Sequence, residues 1–175
     1  MPGCKIFVGK VVALVYNIIQ YVFRGDSMDK ANCVMVKVKG IQRDAAGEVN
    51  TIKTTAKGRY FFRGGKHYVL YDDCSLNKEK RTSTVLKFNL ESLTLLRKGA
   101  VESEQRFLPG KEHHTRYRTP YGELELSAKT SKLKVLFDST NGGAIDVSYD
   151  MSINGKFQSQ NQLHIEIRNI VKDKP

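Results

Sequence analysis

The sequence is short of cysteine, has no tryptophan and carries no apolar run long enough for a bilayer, and each shortage excludes something. Cys4, Cys33 and Cys74 are odd in number and far apart, which fits neither a disulfide framework nor the paired Cys-x-x-Cys ligands of a structural zinc site. Free thiols of this kind point to a reducing compartment, so a cytoplasmic protein is expected. Cys33 heads an apolar alternation and is expected to be a small buried hydrophobe. No Gly-x-Ser-x-Gly elbow occurs, and no glycine-rich phosphate loop precedes a helix.

The apolar stretch at the start, Ile6 to Phe23, is interrupted by Lys10, Asn17 and Gln20. Its part free of charge, Val11 to Phe23 with those two amides inside it, falls short of the roughly 20 apolar residues a spanning helix needs. No small-residue cleavage site follows it, so a signal peptide is poorly supported. The favoured expectation is that residues 1–27 are a non-domain extension and that translation begins at Met28. Polar Asp29-Lys30 follow that methionine, and Arg24-Gly25-Asp26-Ser27 can be encoded by a purine-rich stretch such as precedes a bacterial start codon. A membrane-anchored barrel is the alternative, for which residues 1–27 must be translated.

What remains, residues 28–175, is one domain's worth of chain, able to bury roughly two thirds of its unfolded surface without metal or disulfide. Of the whole sequence, 40% is apolar and 27% charged, the balance of a globular protein. The net charge is +11 and the pI about 9.6. Setting aside Lys5, Lys10, Arg24 and Asp26 lowers the charge only to +9. An anionic partner is therefore permitted.

From Cys33 onward the apolar period is two. Ile145, Val147, Tyr149, Met151 and Ile153 alternate with Asp146, Ser148, Asp150 and Ser152, the pattern of a strand with one face in a core and one in water. The same alternation recurs around Val34-Val36-Val38, Leu124-Leu126-Ala128, Leu133-Val135-Phe137 and Leu163-Ile165-Ile167. Gly64-Gly65, Pro109-Gly110, Thr119 to Gly122, Asn141-Gly142 and Asn154-Gly155 punctuate these runs, and such residues tolerate the positive φ that hairpins require. The expectation is an all-β domain: one antiparallel up-and-down barrel of roughly eight to ten strands, successive strands pairing as neighbours. Strand segments fall near 33–42, 48–63, 66–73, 80–88, 92–98, 102–108, 111–119, 122–130, 132–138, 143–153 and 156–169, one or two of them bent continuations. No internal repeat or linker divides them.

Tyr71-Asp72-Asp73, Thr82 to Phe88, Leu95-Leu96-Arg97-Lys98-Gly99, Tyr117-Arg118-Thr119-Pro120-Tyr121-Gly122, Ile145 to Asp150 and Gln158 to Ile167 follow in an order that resembles the YwiB-like family of small bacterial proteins. The resemblance covers nearly all of residues 33–168, and its most specific piece is Tyr-x-Thr-Pro-Tyr-Gly before an alternating strand. It implies a calycin-type, lipocalin-like barrel in a Firmicutes-type bacterium, and no established activity. Family members generally lack a counterpart of residues 1–27. The tryptophan that seals the base of many lipocalin barrels is absent here.

Chemistry is thinly signalled. His113 and His114 are adjacent on a strand and point to opposite faces, so they cannot grip one metal; no metal and no cofactor is expected. Asp72-Asp73 and Glu123/Glu125 read as a strand end and a solvent face. None of the roles of an active site can be filled, and a non-enzymatic protein is expected. One wall is unusual. Placing Glu102, Glu104, Arg106, Arg116 and Arg118 outward turns Ser103, Gln105, Phe107, His113, Thr115, Tyr117 and Thr119 inward. Gln105, His113, Thr115, Tyr117 and Tyr149 are thus candidates to line a small-ligand site in the barrel. The competing explanation is internal hydrogen bonding among them. The second class of function is RNA or another anionic partner on a basic surface, with Arg59-Tyr60-Phe61-Phe62-Arg63 resembling a stacking platform in composition. Nothing in the sequence speaks to oligomeric state.

Overall fold

A computed structural model describes residues 32–73, 82–98, 102–119 and 122–170; the expectations for residues 1–27 and the Met28 start lie outside them. Ten strands follow one another: β1 (Asn32–Asp44), β2 (Val49–Arg63), β3 (Lys66–Asp73), β4 (Thr82–Phe88), β5 (Leu93–Lys98), β6 (Ser103–Phe107), β7 (Glu112–Thr119), β8 (Gly122–Asp138), β9 (Gly142–Ile153) and β10 (Lys156–Asn169). They form a single sheet ordered β6-β5-β4-β3-β2-β1-β10-β9-β8-β7. Every ladder is antiparallel, and no helix occurs among the described residues.

The expected all-β barrel of about ten strands is present, and segments 122–130 and 132–138 are one bent continuation of the kind expected. The register shifts between Thr130 and Lys132, and the extra residue switches the inward parity from Leu126, Ala128 and Thr130 to Leu133, Val135 and Phe137. Three features, this bulge among them, need the strand pairing to be seen. The second is that β6 and β7, contrary to expectation, do not form a ladder although a Pro109-Gly110 turn joins them; they are the two edges of the sheet. The reason lies in the turn backbone: Gly110 N–H donates to Thr130 O at 2.9 Å, and Thr130 N–H donates to Lys111 O at 3.0 Å. The turn is thereby aligned on β8 rather than β6. Across the seam the Thr115 hydroxyl donates to the Glu104 carbonyl at 2.7 Å. Third, and again contrary to expectation, Cys33 is exposed, because its neighbours Val34 and Val36 take the inward parity and are fully buried.

The chain's first and last strands meet. β1 pairs with β10 from Val34↔Asn169 to Asp44↔Ser159, so the barrel wall is continuous everywhere except at the β6/β7 seam. Inside, Val34, Val69, Leu86, Phe88, Leu93, Ile145, Ile165 and Ile167 are fully buried. At the end where β2 turns into β3, Phe88, Phe137, Tyr60 and His67 interlock: Phe88 and Phe137 meet edge to face at 5.1 Å, and His67 stacks on Phe88 at 5.1 Å. This cluster fills the end of the barrel without a tryptophan.

At the β8–β9 hairpin the backbones approach so closely that a Cβ on Gly143 would lie 2.0 Å from the Leu136 carbonyl oxygen. Gly155, in the β9–β10 turn, has φ of +77° and open space around it. Gly143→Ala is therefore expected to destabilise by about 3 kcal/mol or more, at the top of the overpacking range, whereas Gly155→Ala meets only left-handed backbone strain of about 1–2 kcal/mol. Urea unfolding midpoints check the ordering; equal midpoints for the two variants would contradict it.

Candidate functional site

The barrel interior is divided along its length. Toward the β2–β3 hairpin it is aliphatic and aromatic; toward the opposite end its inward positions turn polar. β4 shows the change within seven residues, running inward from Phe88 and Leu86 to Thr84 and Thr82, all four of them buried. β5 does the same: Leu93 and Leu95 are buried, and the next residue of that parity is Arg97. Cross-strand pairing places Tyr71, Thr84, Arg97 and Ser103 in one row over β3, β4, β5 and β6. On the far side of the sheet, Thr130, Tyr149 and Asn161 form a corresponding row over β8, β9 and β10.

These groups are unevenly satisfied. Asn161 donates to Ser159 Oγ at 3.0 Å, and Gln42 donates to the same hydroxyl at 3.2 Å. Thr82 Oγ1, Thr84 Oγ1, Thr130 Oγ1 and Arg97 Nε are buried with no hydrogen-bond partner among the described residues. Such orphans are rare in folded proteins, because leaving a buried donor unpaired costs on the order of 1–3 kcal/mol. Arg97 takes part in no ion pair among the described residues. Its influence is felt at Tyr149: burial raises the phenol above its ordinary pKa, and the guanidinium's charge acts in the opposite direction. The Tyr149 ring packs on Phe107 at 4.9 Å.

Of the five residues singled out from the sequence, Gln105, His113 and Thr115 line one small cavity beside the β6/β7 seam, with Leu126, Ser127, Ala128 and Met151. Its volume of about 10 Å³ is that of a site for a single water molecule. Burial lowers the His113 pKa most, the nearby Arg106 and His114 lower it further, and Glu104 opposes them. Glu104 is itself held by Arg106 Nε at 2.6 Å. Tyr149 lies deeper, among the inner-wall polar groups just described. Tyr117, opposite Leu124 on β8, is half-buried and does not line the cavity.

Arg97, Thr82, Thr84 and Thr130 did not stand out in the sequence. For Arg97 a signal was there: it is in phase with Leu93 and Leu95, which makes it an arginine at an inward position. The threonines carry none, since threonine is common on both faces of strands.

A second polar cluster sits in the aromatic end. The Tyr60 hydroxyl lies 2.9 Å from His67 Nδ1, and the imidazole is ringed by Phe62 at 4.9 Å, Phe88 at 5.1 Å and Phe137 at 5.0 Å. Burial lowers the His67 pKa. The Tyr60 hydroxyl and His67 Nδ1 share a hydrogen bond whose direction the imidazole tautomer sets, and the pair is satisfied in an apolar setting. Among the described residues no cluster of three metal-ligating side chains occurs.

A ten-stranded antiparallel barrel with a water-sized interior cavity and an incompletely paired polar wall defines a class of small β-barrel proteins rather than an activity. Within that class, the chain belongs to the family described as "Domain of unknown function (DUF1934)", whose profile matches residues 36–165. It is 32% identical over 125 residues to the "Uncharacterized beta-barrel protein YwiB" of Bacillus subtilis strain 168, covering 71% of this chain and 82% of that protein. The crystal structure of the Bacillus subtilis ywiB protein superposes with a TM-score of 0.70 at 24% identity, over 85% of this chain and 99% of that one. The resemblance read from the sequence and the barrel it implied are thus both established. No helix among the described residues is long and apolar enough to cross a membrane.

The two lowered histidines set a pH dependence. In the unfolded chain His67 and His113 titrate near 6.5, and folding lowers both. The unfolded state therefore binds more protons in the window just below 6.5, and their contribution to stability is present above that pH and lost as pH falls through it. Replacing both with glutamine is expected to flatten the fall in unfolding midpoint between about pH 7 and 5. An unchanged slope in the double variant would contradict the assignment.

Proposed function

We propose that this protein binds a small ligand at the polar end of its barrel and is not an enzyme. The observation that carries the reading is the set of unpaired buried polar atoms on the inner wall, at Thr82, Thr84, Arg97 and Thr130. A fold that needed these positions only for packing would fill them with aliphatic side chains, as the other half of the barrel does. Binding sites are apolar walls with a few placed polar groups, and Phe107, Tyr149 and the orphans together supply both. Gln105, His113 and Thr115 line a separate water-sized cavity beside the seam. With no ladder between its strands and, among the described residues, one hydroxyl-to-carbonyl bond across it, the β6/β7 seam is the part of the wall that opens at least cost and serves as the entrance. The protein acts in the cytoplasm, a reading supported by the odd number and wide spacing of its cysteines.

Thermal melts of the full chain against a library of neutral and charged metabolites test this, because a ligand that binds only the native state raises the midpoint. The expected result is a hit whose shift is reduced by Tyr149→Phe and by Thr84→Val. A library in which nothing shifts the melt overturns the reading.

A second reading has its own observation. On the outer face of β1 and β2, Lys39 stands directly opposite Lys53, and Lys37, Lys57 and Arg59 are exposed on the same face. Like charges directly opposed are unfavourable, and an RNA or other polyanion would relieve them. Filter binding of mixed-sequence RNA at two salt concentrations decides it: affinity that falls steeply with salt is expected, and no salt-dependent binding excludes it.

A further inference from the structure

We infer that the barrel ligand carries an oxyanion, a carboxylate or a phosphate group, and that Arg97 is its anchor. The inference rests on the ligand-binding reading above and specifies its chemistry. Three observations converge. Arg97 is at an inward position of β5, in phase with buried Leu93 and Leu95. Its Nε is buried without a hydrogen-bond partner, and it forms no ion pair among the described residues. Its direct cross-strand neighbour Thr84 and the next inward residue of that strand, Thr82, are 1% and 0% exposed, each with an unpaired hydroxyl.

Arg97 is half-buried, with its Nε shut away from solvent and unpartnered among the described residues; a buried donor of that kind is costly and is normally paired. What this wall has in surplus is donors. Arg97 offers a planar fork matched to the two oxygens of a carboxylate or phosphate, and two threonine hydroxyls on the neighbouring strand can turn their protons toward the same acceptor. A neutral ligand would leave the charge uncompensated, and a cation would add to it. The aliphatic and aromatic half of the barrel lies beyond this row, so the anion marks the polar end of the ligand.

The test uses the full chain and three probes at matched ionic strength: inorganic phosphate, acetate, and neutral acetamide. Binding is followed by thermal shift and by titration calorimetry. Phosphate or acetate is expected to raise the melting temperature where acetamide does not, and which of the two does so separates a phosphate from a carboxylate ligand. Arg97→Met is expected to weaken the effective anion by roughly tenfold or more, as loss of a charged hydrogen-bonding partner does. Arg97→Lys should recover part of the affinity, keeping the charge but losing the fork. Without ligand, Arg97→Met should melt no lower than the parent, since it removes an unpaired charge; a lower melt would mean that Arg97 is a structural residue and would overturn the anchor role. Anion binding equal in parent and variant, or absent from the parent, also overturns it. A neutral library ligand that binds parent and Arg97→Met equally would sink the oxyanion while leaving the barrel-ligand reading standing, and a library with no hits would sink both.

Discussion

The β1–β10 ladder is the interaction on which the rest of the structure depends. It joins the two ends of the chain over eleven residue pairs, from Val34↔Asn169 to Asp44↔Ser159. Without it the chain is two open meanders, β1 to β6 and β7 to β10, each with an apolar face uncovered and a long unpaired edge. With it, Val34, Val36, Ile165 and Ile167 are brought together from opposite ends of the domain and fully buried. Contacts so distant in sequence are entropically expensive to form, and they bring their return only when the whole wall is in place.

Closure at β1–β10 leaves the discontinuity elsewhere, at β6/β7. There the turn backbone bonds to Thr130 on β8, and among the described residues a hydroxyl-to-carbonyl bond from Thr115 to Glu104 crosses the seam. A barrel wall with one weak join has a defined place to open. The water-sized cavity lined by Gln105, His113 and Thr115 adjoins that join. The other end is filled by Tyr60, His67, Phe88 and Phe137, whose rings pack within about 5 to 6 Å of one another.

Much of this was legible in the sequence because strand patterning is local. Alternation sets which face each residue takes, and the glycine and asparagine turns set where strands reverse. Gln105, His113 and Thr115 could be placed inward together for that reason. What the sequence left open has non-local causes. The bulge at Ser131 reverses parity, and only pairing with β9 shows which of the segments are one bent strand. The missing β6–β7 ladder depends on Thr130, some twenty residues further along the chain from the turn it captures. Cys33 was misplaced by one position of parity: a small apolar residue at the start of an alternation fits either face until the neighbouring strand assigns it.

The sequence by itself determined an all-β domain of about ten strands, its turns, its family and its basic exterior, since composition and a period of two are properties of neighbouring residues. Tertiary structure decided which positions share the interior. Thr82 and Thr84 on β4, Arg97 on β5, Thr130 on β8 and Tyr149 on β9 come from four strands, and no spacing along the chain relates them. Whether a buried polar group is satisfied depends on what stands opposite it in space. The phase of Arg97 with Leu93 and Leu95 is local, but that its Nε has no hydrogen-bond partner among the described residues is decided by the strands that surround it.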